Sequence, residues 1–154
     1  MICDPGNVLI SELKNNNIAY TALPGACAIP TFLSQIPRED EIFTFIGFFP
    51  KTSQKAEALI REYSGSNLVF YEAPNRLIDT LKLIRNVRGD IKVTIGRELT
   101  KLFEEIVTDN ISNVINHFNN GVKGELVCMI TKTNNDSEFN LKSNIKLLKD
   151  KGFK

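Results

Sequence analysis

The sequence predicts an α/β protein in which strands and helices alternate from Phe43 onward. Short apolar runs rich in aromatic and β-branched residues recur along the chain, and such runs are typical of strands. Stretches with apolar residues at helical spacing lie between them. With 154 residues, of which 42% are hydrophobic, the chain can bury one core of ordinary size. This alternation predicts a layered sheet, α/β or α+β, and leaves the strand order open.

The N-terminal segment is predicted to form two helices with a strand between them. A helix over residues 9–17 ends at three consecutive asparagines. A short strand over residues 18–23 is stopped by Pro24-Gly25. A second helix is predicted within residues 26–34 and ends before Pro37.

The segment from residue 43 to residue 130 carries the regular alternation. Strands are predicted over residues 43–48, 67–71, 91–95 and 124–130, and helices over residues 53–63, 76–86, 100–107 and 111–118. A polar linker (TKTNNDS, residues 131–137) and an amphipathic tail helix over residues 141–151 complete the chain. The predicted core consists of strand residues: Phe45, Ile46, Leu68, Val69, Phe70, Val93, Ile95, Leu126, Val127 and Met129.

Composition excludes several classes of site. The net charge is +1, which weakly disfavours a freestanding nucleic-acid binder. The three cysteines are far apart and predict reduced thiols in a cytoplasmic protein. No signal peptide and no membrane-spanning run are predicted. His117 is the only histidine, so neither a metal site nor a His-based catalytic triad is expected. A structural role at the surface is predicted for it.

Two segments after predicted strands have the composition of a ligand site. In LPGACA a strand ends at a sharp turn and small residues follow, which lets a ligand approach the backbone. A plain strand–turn–helix connection explains the same pattern. In FYEAPNRL, Glu72 and Arg76 flank the turn after a buried strand, where ligands bind in open α/β sheets. The alternative is a helix-start carboxylate with an arginine as its ion-pair partner.

Two further segments are weaker when taken singly. GRELTK follows the strand at residues 91–95, and it could line the same side of a cleft as Glu72 and Arg76. A charged helix start with solvated side chains is the competing interpretation. Lys123-Gly124-Glu125 precedes the last strand, and a tight turn is sufficient to explain it.

Taken in order, these segments resemble a known family. DPG, LPGACA, GFFPK, VFYEAPNRL, GRELTKLFEE and VKGELV are similar to consecutive signatures of the small-subunit ribosomal RNA methyltransferase I branch of the tetrapyrrole methylases. The resemblance runs from about residue 1 to residue 130. FYEAPxRL followed by RELTKxxEE is the most specific part.

The resemblance implies a fold of two α/β domains with a methyl-donor cleft between them. Residues 1–35 would then be the remnant of the N-terminal domain and the interdomain crossing. Residues 42–131 would be a complete C-terminal α/β domain, followed by the linker and tail helix at 132–154. The family's Gly-Pro-rich loop and Asp-Ala-Gly-Thr-Pro loop have no counterpart in this sequence.

The resemblance also implies S-adenosylmethionine as donor and the 2′-hydroxyl of a cytidine in small-subunit ribosomal RNA as acceptor. Glu72 is the implied local base. No metal is implied. Arg76 and Lys101, together with Lys51 and Lys55, are expected to contact RNA phosphates. The residues expected to contact the donor are Ala26, Cys27, Ala28, Phe70, Tyr71, Leu99 and Thr100.

Two other functions remain open at this point. One is methylation of a tetrapyrrole or another small molecule, and the other is a non-catalytic dimerisation or binding module. A homodimer is expected because apolar surface on residues 1–33 would invite association. Since the donor is expected to be held from both sides of a cleft, weak donor binding and negligible activity are predicted for these 154 residues alone.

Overall fold

The computed structural model describes residue 3 and residues 6–37 and 42–132. One five-stranded sheet organises the fold. The strands are β1 (Phe43–Phe48), β2 (Asn67–Glu72), β3 (Lys92–Arg97), β4 (Glu105–Asn110) and β5 (Leu126–Ile130). The helices are α1 (Asn7–Asn15), α2 (Ala28–Ser34), α3 (Ser53–Glu62), α4 (Leu77–Arg88), which a 3₁₀ turn (Pro74–Arg76) precedes, and α5 (Ile111–His117).

The sheet is mixed, with strand order β1-β2-β5-β3-β4. β1 pairs with β2 in parallel, whereas β5 pairs antiparallel with both β2 and β3, and β3 pairs antiparallel with β4. β1, β2 and β3 therefore run in the same direction, and their carboxyl ends lie at one edge of the sheet. We call this the strand-end edge.

Helices cover the two faces of the sheet unequally. One face packs against α3, α4 and α5 through a large cluster that includes Leu68, Phe70 and Leu81. Among the described helices, only α2 covers the other face, through a smaller cluster that includes Phe32 and Val69. Successive residues of β2 point to opposite faces, so Phe70 belongs to the first cluster and Val69 to the second.

Local sequence signals explain the helix that follows β2. Pro74 stands in the 3₁₀ turn before α4, where its missing N–H costs nothing. Leu77, Leu81 and Ile84 recur at helical spacing and are fully buried. α4 ends at Gly89, whose φ of 81° suits a residue without a side chain.

Most predicted strands and core residues are confirmed. Eight of the ten core residues predicted are buried. Phe45 and Ile46 are only partly buried, because β1 lies at the outer position of the sheet. The predicted tail helix lies outside the described residues.

Two predicted elements are wrong. Residues 18–23 form no strand: they are exposed and pair with none of the described strands. Strand propensity without a partner surface does not make a strand. Residues 100–107 were predicted to be helical, but the chain turns there and then enters β4. Ile106, Val107 and Thr108 are β-branched and pair with β3, which decides the conformation.

Candidate functional site

Two adjoining clefts lie at the strand-end edge. The α2 cleft has a volume of about 210 Å³ and lies between the start of α2 and the loop after β3. Its lining consists of Ala26, Cys27, Ala28, Thr31, Leu99, Thr100, Lys101, Glu125 and Val127. Five of the seven residues predicted to contact a donor therefore lie together, although more than 70 positions separate Ala28 from Leu99 in the sequence.

The Tyr71 cleft has a volume of about 270 Å³ and shares Ala28, Glu125 and Val127 with the α2 cleft. Tyr71 lines it, so a sixth predicted residue joins the same site. Phe48 also lines it and is largely exposed. Because three residues are common to both clefts, the two form one site with two lobes.

The packing of α2 against β3 places the small residues of the site. Phe32 of α2 is fully buried, and a side-chain carbon at Gly96 would lie 2.6 Å from its ring. Only glycine at this position allows α2 to approach the sheet so closely. The same packing brings Ala26, Cys27 and Ala28 to the strand-end edge.

Tyr71 lies in an aromatic cluster at the end of β2. Its ring is 5.1 Å from that of Phe45 in an edge-to-face arrangement and 5.5 Å from that of Phe48. Partial burial and the neighbouring Cys27, Cys3 and Glu125 raise the pKa of its phenol. Tyr71 is therefore neutral at physiological pH and offers a flat apolar wall with a polar tip.

Lys101 and Glu125 line the α2 cleft and are both bonded to Glu98, and we call these three charged residues the rim cluster. The Lys101 ammonium lies 3.0 Å from the Glu98 carboxylate and 2.9 Å from that of Glu125. Hydrogen bonds from the Glu125 backbone and from Lys101 lower the pKa of Glu98. Glu98 and Glu125 lie in segments that the sequence marks as candidates, but neither is one of the predicted site residues.

Two predicted residues, Phe70 and Arg76, lie away from the two clefts, and a third, Lys101, lies at one of them but is engaged by carboxylates. Phe70 is fully buried on the opposite face, where its ring packs 4.7 Å from that of Phe49. Arg76 also lies away from the two clefts, lining a separate cleft of about 370 Å³ together with Lys51. Lys101 lies at the α2 cleft, where carboxylates engage it.

Glu72 lines the Tyr71 cleft, but its side chain has no solvent exposure. Its carboxylate accepts hydrogen bonds from the Ala73 N–H at 2.7 Å and from the Thr80 hydroxyl at 2.5 Å. Arg76 lies 3.4 Å away and also donates to the carbonyls of Phe49 and Pro50. The ion pair that the sequence left open is therefore present, and it anchors the turn between β2 and α4.

A further cleft of about 370 Å³ contains His117, which lies at the surface as predicted. Its Nε2 is 2.6 Å from a Glu105 oxygen, and the other Glu105 oxygen accepts from Arg97 at 2.9 Å. Within the described residues, no three His, Cys, Asp or Glu side chains are arranged to hold a metal ion. In the same part of the chain, no helix is long and apolar enough to cross a membrane.

Comparison with known proteins gives consistent relatives. No family model matches the chain. It is 39% identical over 138 residues to ribosomal RNA small subunit methyltransferase I of Hydrogenobaculum sp. (strain Y04AAS1), covering 86% of this chain and 59% of the relative. Proteins of the same name from Rickettsia prowazekii (strain Madrid E) and Streptococcus pyogenes serotype M1 are each 33% identical. These alignments cover 85% and 96% of this chain and 48% and 52% of those relatives. The chain thus spans about half the length of the curated relatives it matches.

Two methyltransferases are among the solved structures of similar fold. The methyltransferase CobJ superimposes with a TM-score of 0.58 at 16% identity, covering 84% of this chain and 62% of that one. The cobalt precorrin-4 methyltransferase CbiF superimposes with a TM-score of 0.56 at 14% identity, covering 82% and 58%. At these identities the likeness shows a shared fold, which confirms the predicted fold class.

Proposed function

Because the chain resembles the ribosomal RNA small subunit methyltransferase I branch of the tetrapyrrole methylases in sequence and fold, we propose that it forms the donor-binding part of an S-adenosylmethionine-dependent methyltransferase. The proposed acceptor is the 2′-hydroxyl of a cytidine in small-subunit ribosomal RNA, and the proposed place of action is the cytoplasm. The sequence relatives favour this acceptor over a tetrapyrrole, since the tetrapyrrole enzymes share only the fold.

The observation that carries the proposal is the convergence of distant segments on one site. Residues 26–28, Tyr71 and residues 99–100 come from three parts of the sequence and line two clefts that share a wall. Formation of a hydrophobic core requires apolar residues to meet, but it does not require small and polar residues to meet at the ends of strands. In α/β sheets this edge is where ligands bind.

The two lobes suit the donor in size and character. Sites for ligands of this size occupy roughly 300–1,000 Å³, so neither lobe is sufficient alone, and the two together reach that range. Ala26, Cys27 and Ala28 leave room close to the backbone, whereas Leu99 and Tyr71 offer apolar walls. Thr100 and the rim cluster supply the polar groups that fix orientation.

The bound donor would supply a methyl group on a positively charged sulfur. Transfer forms a carbon–oxygen bond to the ribose 2′-oxygen, breaks the carbon–sulfur bond and passes the hydroxyl proton to a base. Glu72 stays the predicted base, although its carboxylate already has three partners. In the described arrangement its direct effect is to fix the turn after β2, which holds Tyr71 in place.

Contacts to RNA are proposed for the cationic side chains that are not engaged internally. Lys51 and Lys55 are exposed, whereas carbonyls and carboxylates engage Arg76 and Lys101. We expect Lys51→Gln to reduce the salt dependence of RNA binding by about one phosphate contact. An unchanged salt slope for this variant would remove Lys51 from the interface.

We also propose that the chain associates with a second copy. Apolar side chains at Val8, Leu9 and Leu23 are largely exposed, as the sequence analysis expected for the N-terminal segment. Such surface favours association. Light scattering at high micromolar concentration is expected to return a dimer, and a monomer would overturn this part of the proposal.

The donor site is tested by filling it. Ala28 lines both lobes and is partly buried, so Ala28→Leu is expected to abolish binding of S-adenosylmethionine in a calorimetric titration. Ala58→Leu is the matched control, because Ala58 is an exposed residue of α3 on the other face. Unchanged donor affinity in Ala28→Leu would exclude this site.

Turnover is tested separately, by transfer of tritiated methyl groups to small ribosomal subunits and to a tetrapyrrole. Because donor contacts are expected from both sides of a cleft, and each lost hydrogen bond costs about 1 kcal/mol, we expect donor binding near the millimolar range and negligible transfer by these 154 residues alone. Tight binding or turnover by this chain would contradict that expectation. A folded dimer with no donor binding would instead favour a non-catalytic binding module.

A further inference from the structure

We infer that Glu98 is a positioning residue, which fixes the loop of residues 98–101 against the start of β5 and thereby sets one wall of the α2 cleft. The inference deepens the proposed function and rests on it. It also gives Gly124 a role that a tight turn alone does not require.

Reciprocal hydrogen bonds join Glu98 to Glu125. The Glu98 N–H donates to the Glu125 carbonyl at 3.0 Å, and the Glu125 N–H donates to the Glu98 carboxylate at 2.8 Å. The same carboxylate oxygen accepts from the Lys101 ammonium at 3.0 Å. One carboxylate therefore holds both ends of the loop that contains Leu99 and Thr100, two residues that line the α2 cleft.

The backbone of this loop adopts a conformation that needs such support. Glu98 has a φ of 49° and Thr100 a φ of 65°. Residues other than glycine rarely occupy this left-handed region, and they stay there where surrounding contacts hold them. The contacts here are the bonds of the rim cluster, together with a hydrogen bond from the Thr100 N–H to the Glu104 carboxylate.

Gly124 makes room for the Glu98 side chain. A side-chain carbon at Gly124 would lie 2.4 Å from Cγ of Glu98 and 2.5 Å from its carboxylate carbon and Oε1. Any other residue at this position must push the carboxylate out of its bonds to Lys101 and Glu125. Glu98 lies in GRELTK and Gly124 in VKGELV, 26 residues later in the sequence. The two segments therefore act together to hold this loop.

The chemistry of the carboxylate fits the role. Hydrogen bonds from Glu125 and Lys101 lower the pKa of Glu98, so it is ionised at neutral pH and accepts both donors at once. Protonation would remove one of its acceptor sites and also the negative charge that attracts the Lys101 ammonium. The loop should therefore keep its shape at neutral pH and lose it in strong acid.

Amide hydrogen exchange on the chain without donor tests the positioning directly. The Glu125 amide, which donates to Glu98, is expected to exchange about tenfold faster in Glu98→Ala and in Gly124→Ala, the size expected from losing one to two hydrogen bonds. Gly121→Ala is the matched control: Gly121 has a φ of 93° against 96° for Gly124, but a side-chain carbon there meets nothing within 4 Å. It reproduces the backbone strain without the displacement.

Donor affinity tests the consequence of that positioning. By calorimetric titration of S-adenosylmethionine, Glu98→Ala and Gly124→Ala are each expected to weaken binding about tenfold. Glu98→Gln keeps an acceptor for the Glu125 amide and should lie between them and the unchanged chain. Glu98→Ala and Gly124→Ala are expected to act through the same carboxylate. When Gly124→Ala is added to Glu98→Ala, donor affinity should therefore fall no further than it does when Gly121→Ala is added to the unchanged chain.

The outcomes separate this inference from the proposed function. If the unchanged chain binds no donor, the proposed function fails and the effect of Glu98 on donor affinity fails with it. If the donor binds but Glu98 and Gly124 contribute independently, or the Glu125 amide stays protected in both variants, only the inference is overturned. A role in stability alone would lower the melting temperature and leave the donor affinity of the folded chain unchanged.

Discussion

The two faces of the sheet differ in how completely they are covered. In the part of the chain that the structure describes, three helices cover the face that contains Phe70, and the larger of the two buried clusters lies beneath them. The other face is covered by the seven residues of α2, and beside it lie the α2 and Tyr71 clefts. The first face holds the larger buried cluster, whereas the second leaves two clefts at the strand-end edge. This difference is the basis for proposing that the open side of the sheet binds the donor.

The largest loss of stability is expected on the covered face. Phe70 is fully buried and packs against Phe49, so Phe70→Ala should cost about 3–5 kcal/mol in the free energy of unfolding. A urea denaturation curve measures it. If that variant does not fold, Phe70→Leu provides a milder change and should still lower the denaturation midpoint. An unchanged midpoint in Phe70→Leu would show that this face is not the stabilising one.

A smaller loss is expected one residue earlier, on the open face. Val69 is fully buried against the α2 cluster, and Val69→Ala should cost about 1–3 kcal/mol, because the removed methyl groups leave a cavity. The same denaturation experiment gives the value. A change within about 0.3 kcal/mol would mean that α2 does not cover this position as described.

The smallest expected effect is on how stability depends on pH, through Glu105 of β4, which pairs with Arg97 at the end of β3. Partial burial acts to raise the pKa of Glu105, but hydrogen bonds from His117 and Arg97 outweigh it and hold that pKa below the usual 4.5. A carboxyl whose pKa is lowered by folding stabilises the protein above its unfolded pKa and loses this effect as pH falls through the folded pKa. Urea midpoints should therefore fall less between pH 6 and pH 3 in Glu105→Gln than in the unchanged chain. Equal declines would show that this carboxylate is not coupled to folding.

Much of the fold could be predicted from the sequence, because strand signals and strand partners agree over β1, β2, β3 and β5. The failures occurred where local propensity and tertiary pairing disagree. Residues 18–23 have the composition of a strand, but they pair with none of the strands that the structure describes. Residues 106–108 complete a sheet edge against β3, although the charged residues before them favour a helix.

The sequence predicts which segments form the candidate site better than it predicts which side chains line it. Phe70 and Tyr71 are consecutive in β2, so their side chains cannot face the same cleft, and the period of two alone would have excluded one of them. The role inferred for Glu98 depends on a left-handed backbone and on the space above Gly124. Neither is visible as a pattern of residue types.

Donor binding at the strand-end edge is tested most directly by titrating the chain with S-adenosylmethionine and following amide NMR shifts, which detect binding even in the millimolar range. We expect the shifts to concentrate at Ala28, Tyr71, Leu99 and Thr100, at the open side of the sheet. Amides of α4, such as Leu81, should not move. Shifts confined to the His117 cleft or the Arg76 cleft, or no shifts at all, would contradict the claim that the strand-end edge binds the donor.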